Sequence, residues 1–94
     1  MSRIADTFER LRREGRKGFV GYLTAGDPGI DQSERDLRDA IAGGLDVLEL
    51  GVPFSDPSAD GPAIQRSSAR ALASGVTLAD VLALTGRIRR RSSV

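Results

Sequence analysis

The sequence contains no cysteine, no histidine and no tryptophan, and tyrosine and methionine occur once each in 94 residues. Without cysteine there is no disulfide framework, no thiol nucleophile and no thiolate metal site. Without histidine the usual neutral-pH base and the commonest metal ligand are also missing, so acid–base chemistry falls to carboxylates, lysine, tyrosine or water. An excess of one charge is missing too: fourteen basic against thirteen acidic residues leave a net +1, and no global field points to nucleic acid or a membrane. No apolar run reaches the length of a membrane span. The N-terminus, "MSRIADTFERLRREGRKGF", alternates charged and apolar residues and has no continuous signal-peptide core. A cytoplasmic protein is the default expectation. The length fits one domain at most, with a small core.

What is present is an alternation of element types. Ile4, Phe8 and Leu11 fall at i, i+4 and i+7 and predict a short amphipathic helix, closed by the basic run Arg12, Arg13, Arg16 and Lys17. "GFVGYLT" (18–24) reads as a strand and "AGDPG" (25–29) as a loop. Asp31 and Glu34 offer a capping-box-like start to a second helix, whose buried stripe is Leu37, Ala40 and Ile41 and which Gly43 and Gly44 stop. "LDVLELGV" (45–52) is a second strand and "PFSDPSAD" (53–60) a loop. Pro62 suits the first turn of a third helix, with Ile64, Ala69 and Leu72 as its apolar side. Thr77 and Asp80 resemble an N-cap pair for a last helix carrying Leu78, Val81, Leu82 and Leu84 to Ile88, followed by a polar tail, "RIRRRSSV". Strands alternating with helices imply parallel pairing through right-handed crossovers. Two such strands are too few for a sheet that wants both faces covered, so the expectation is part of something larger.

Glu49 is the anomaly, a charge in a strand otherwise built to be buried, costly unless paired or used. Side chains alternate along a strand, so Leu48 and Leu50 share the helix-facing side while Val47, Glu49 and Gly51 share the other. Near the C-terminal end of a strand, that side is the interior of an α/β barrel just below its active-site loops. The following loop supplies Asp56 and Asp60. Two carboxylates at such an address form a plausible acid–base pair, one raised in pKa by burial and one kept ionised by hydrogen bonds. Plainer roles compete: pairing with a basic residue for Glu49, helix capping for Asp60, and a turn pair for Asp56 before Pro57.

"GYLTAGDP" (21–28), followed by the ungapped "GGLDVLELGVPFSDPSADGPAIQ" (43–65) and by "RSSARALASGVTLADVL" (66–82), closely resembles the tryptophan synthase alpha chain family. The resemblance implies α/β architecture, namely the N-terminal part of a (β/α)8 TIM barrel: an extra helix plus the first two βα units. It implies retro-aldol cleavage of indole-3-glycerol phosphate to indole and glyceraldehyde 3-phosphate in tryptophan biosynthesis. Carried over residue by residue, the glutamate of "LELG" is Glu49 and the aspartate of "ADGP" is Asp60, the family's two catalytic carboxylates. Glu49 would move protons at the indole C3 and the glycerol hydroxyl. Asp60 would hydrogen-bond the indole N–H and stabilise the positive charge that develops on the ring. Tyr22 stands where the family has an aromatic residue lining the indole pocket, and an inward core residue explains it equally well. Pro53, Asp56 and Pro57 match the segment that touches the partner beta chain in an alpha2-beta2 tetramer, although plain turn chemistry would serve the prolines too. Pyridoxal phosphate belongs to that partner; this chain would need no cofactor and no metal.

Gly21 stands where many members have proline, and Ser58 and Arg66 are local variations. A (β/α)8 barrel takes about 250 residues, so the resemblance implies an incomplete domain over residues 1–94, lacking the loops that hold the substrate phosphate. A chain of this extent is expected to be inactive alone. Two other classes of function stay open: a non-catalytic module that docks to the beta chain through residues 53–60, and a self-associating quarter-barrel. A different phosphate-binding barrel enzyme is a distant fourth reading. The arginines near the C-terminus suit a solvated helix end better than a nucleic-acid contact.

Overall fold

The period-2 apolar segments form two parallel strands, as the alternation of elements requires. In the computed structural model, which describes residues 2–56 and 59–94, β1 (Val20–Thr24) pairs with β2 (Val47–Gly51) in register from Val20↔Val47 to Thr24↔Gly51. α1 (Arg3–Glu14) precedes them, and α2 (Ile30–Ala42) makes the crossover. α3 (Pro62–Ala73) and α4 (Leu78–Arg91) follow β2.

α2 and α4 cover one face of the sheet. Leu37, Ala25, Val81, Leu84 and Ile88 form the buried cluster, and Leu23, Leu48 and Leu50 pack against it from the strands. The two leucines of β2 therefore face the helices, as alternation predicts. Each fully buried leucine, Leu37 and Leu84 in particular, contributes about 1.5–3 kcal/mol of transfer free energy. An ion-pair cluster sits above the apolar contact. Arg87 Nε of α4 donates to Glu34 Oε1 at 2.7 Å, and Arg38 pairs with the other Glu34 oxygen. The paired guanidinium of Arg87 is the largest influence holding the Glu34 carboxyl below its ordinary pKa, with Arg38 acting in the same direction and desolvation opposing both.

α3 does not join this layer. It meets the C-terminal end of β1, where the Thr24 and Ser67 hydroxyls share a buried 2.6 Å hydrogen bond. Ser67 Oγ also donates to Ile64 O at 3.0 Å, so Thr24 supplies the proton of the shared bond. Arg70 forks onto Asp27, Nε to Oδ1 at 2.8 Å and Nη2 to Oδ2 at 2.9 Å. Gly26 holds φ +84 directly beneath Val76, whose methyls would collide with any Cβ there; a left-handed conformation and a close approach together demand glycine.

Several sequence expectations are corrected. Asp31 and Glu34 form no capping box: α2 begins at Ile30 with Gly29 as an N-cap lacking a side-chain bond, and Glu34 turns to the two arginines instead. The buried side of α3 is Ser67, Ser68 and Ala71, not Ile64, Ala69 and Leu72, because this helix lies on the polar strand ends. In α1 only Thr7 and Leu11 are buried while Ile4 and Phe8 stay exposed. Most of the expected polar tail is helical, since α4 runs through Arg91. The Thr77–Asp80 capping box is formed in full, Thr77 N–H donating to Asp80 Oδ2 at 2.9 Å and Asp80 N–H to Thr77 Oγ1 at 3.2 Å.

Candidate active site

The face of the sheet away from α2 and α4 carries Tyr22 and Glu49, which are Cα partners in the β1–β2 register and hence point to the same side. Both are exposed. The burial expected of Glu49 is thus not supplied here, because among the described residues no second layer covers this face. Tyr22 leans over Gly51: a Cβ built on Gly51 would collide with the tyrosine ring and hydroxyl. Gly51, the fourth residue of "LELG", is therefore part of the site's shape, a role that its place on the Glu49 side of the strand could have signalled.

The loop after β2 leaves at Val52. Val52 and Phe54 expose their side chains, Pro53 is half-buried and Asp56 is exposed. Pro57, the remaining interface candidate, lies outside the described residues. Asp60 ends the loop in a bend, exposed, and its carbonyl oxygen accepts from Gln65 Nε2 at 2.7 Å. The N-cap of α3 is Gly61, with no side-chain cap bond, so capping does not occupy the Asp60 carboxylate. Pro62 starts the helix as predicted, in the position where its missing N–H has no partner to lose.

Thr24, Asp27, Ser67 and Arg70 were not singled out from the sequence, yet they position this end of the molecule. They tie the β1–α2 loop to α3, and α3 in turn anchors the loop carrying Asp60. Their partners lie 43 residues apart in the chain, a separation at which no local pattern forms.

Two parallel βα units, with the unspent polar side chains gathered at the strand ends and on the face away from the helices, fit a segment of a (β/α)8-type barrel. Comparison with known proteins makes this specific. The tryptophan synthase alpha chain family model matches residues 8–94, and the chain belongs to that family. It is 54% identical over 90 residues to the tryptophan synthase alpha chain of Desulfosudis oleivorans, which covers 96% of this chain and 34% of the relative. The Burkholderia multivorans alpha chain is 58% identical over 89 residues, covering 95% of this chain and 33% of the relative. Among solved structures, tryptophan synthase subunit alpha from Legionella pneumophila superposes with a TM-score of 0.93 at 42% identity, covering 98% of this chain and 35% of that one. A tryptophan synthase chain from M. tuberculosis gives 0.89 at 38%, covering 94% and 35%. The chain thus spans about a third of the length of the relatives it matches. No single helix among the described residues is long and apolar enough to cross a membrane.

Proposed function

We propose that this chain carries the two catalytic carboxylates of a cytoplasmic lyase that cleaves indole-3-glycerol phosphate into indole and glyceraldehyde 3-phosphate. The observation that supports it best is the shared orientation of Glu49 and Tyr22 on the free sheet face, at the strand end from which the Asp60 loop departs. In the proposed reaction Glu49 delivers a proton to the indole C3 and takes one from the adjacent glycerol hydroxyl. The C3 to side-chain carbon bond breaks, its electron pair returns to the ring, and the hydroxyl carbon becomes the aldehyde. Carboxylates can perform both transfers. Asp60 accepts the indole N–H and opposes the cationic charge that the ring acquires at C3 protonation, where a fixed anion is most effective. Tyr22 lines the ring pocket.

The reaction asks no cofactor of this chain. Pyridoxal phosphate would sit in a partner beta chain, which we propose docks on residues 53–57. The exposed Val52 and Phe54 of the same loop support that contact. Alone, residues 1–94 lack the remote binding energy of a phosphate site and should release no indole at a useful rate.

The test replaces the matched segment of the Burkholderia multivorans alpha chain with the 89 residues of this chain that align with it. The chimera should release indole, and Glu49→Gln within it should lower kcat at least a hundredfold while leaving beta-chain binding unchanged. Retained turnover in Glu49→Gln, or a folded chimera without turnover, would overturn the reading.

A further inference from the structure

The start of a helix lacks acceptors, because its first N–H groups have no partners within the helix. At α3 the N-cap is Gly61, which brings no side-chain oxygen to them. Gln65, one turn further on, does something different. Its backbone N–H donates to the Gly61 carbonyl oxygen at 3.0 Å, the ordinary opening bond of a helix. Its side-chain Nε2 donates to the Asp60 carbonyl oxygen at 2.7 Å. One residue thus grips two successive carbonyls. The second bond relieves none of the helix's unpartnered donors, so it does no capping. What it fixes is the peptide joining Asp60 to Gly61, on which the direction of the Asp60 side chain depends. Glycine at 61 would otherwise leave that peptide unusually free to turn.

α3 is itself tied to the sheet that carries Glu49. Ser67, two residues beyond Gln65, meets Thr24 in a buried bond, and Arg70 forks onto Asp27. Thr24 is the register partner of Gly51, which follows Glu49 by two residues on the same face of β2. A run of bonds therefore leads from the Asp60 peptide through Gln65, Ser67 and Thr24 to the strand of Glu49. Both carboxylates hang from one frame, and the Gln65 side chain joins Asp60 to it.

We propose that Gln65 is a positioning residue for the Asp60 carboxylate. The inference rests on the lyase reading and adds to it a residue that touches no reacting atom. A fixed anion stabilises the charge developing on a ring only when it is already in place. A misplacement of about 1 Å can cost a hundredfold in rate. Gln65 acts on the rate through Asp60, by holding the aspartate's own peptide in register with Glu49.

The test uses the chimera described above, with Gln65→Ala and the isosteric Gln65→Glu, whose ionised carboxylate cannot donate. Both should lower kcat about tenfold while KM stays within threefold, since the substrate phosphate is held elsewhere. The bond is solvent-exposed and contributes little to stability, so the urea midpoint should not move. The deficit of Gln65→Glu, taken relative to the parent chimera, should narrow as pH falls towards the ordinary glutamate pKa of about 4.3. There a protonated carboxyl regains the donor, whereas the deficit of Gln65→Ala should stay constant. Parent-like kcat in both variants overturns the proposal and leaves the lyase reading standing. Equal deficits at every pH, or a kcat loss matched by a lower urea midpoint, also overturn it, since either makes Gln65 a residue of the fold alone. A folded parent chimera without turnover removes the lyase reading and this inference with it.

Discussion

Glu34 carries an arginine on each carboxylate oxygen, and its behaviour with pH follows from its partners. Arg87 and Arg38 hold its folded pKa below the ordinary value of 4.5. A lowered folded pKa means that the carboxylate's contribution is whole above the unfolded value and disappears as pH falls through the folded one. Glu34→Gln should therefore lower stability by about 1 kcal/mol at neutral pH and make no difference in strong acid. Urea unfolding of both forms from pH 7 down to pH 2 checks this; a variant equally destabilised at both extremes would assign Glu34 a packing role. The facing of Glu49 could be read from the sequence, because strand alternation has a period of two and needs only neighbours. The use of Glu34 could not, because Arg87 is 53 residues away and nothing local marks the pair.

At the scale of elements, α3 behaves as a clasp. It touches β1 through Thr24 and Ser67 and the β1–α2 loop through the Asp27–Arg70 fork, and it follows directly on the Asp60 loop. Arg70→Ala should speed proteolytic cleavage within residues 52–61 severalfold, with little change in helix content, since local opening governs cutting at such loops. Unchanged cleavage would mean that the hydroxyl pair alone holds the helix. Element order was legible throughout, as was the Thr77–Asp80 cap, whose two halves are three residues apart. The buried face of α3 was misjudged for a physical reason: an apolar stripe predicts the inward side only where the neighbour is apolar, and this neighbour is a polar strand end. The Asp31–Glu34 box failed because α2 starts two residues earlier, with Gly29 as its N-cap, and a cross-helix arginine takes the glutamate.

For the molecule as a whole, the incomplete covering of the sheet was legible from the count of strands, since parallel sheets are covered on both faces. What the sequence did not disclose is how α1 is fastened. Arg3 Nη1 donates to Ser92 O at 2.9 Å and Val94 O at 3.3 Å, and its Nη2 to Arg89 O at 3.2 Å. Those bonds join residues 86 to 91 positions apart, the widest separation among the side-chain bonds of the described residues. Closure entropy grows with loop length, so this attachment should form late in folding and open early. Amides of α1 should accordingly exchange with deuterium at a lower free energy than those of α2 and α4, and Arg3→Ala should widen the gap. Uniform protection across the three helices would refute this. The consequence is temporal: the crossover β1–α2–β2 can assemble while α1 is still searching, so a helix that precedes both strands in sequence docks after them.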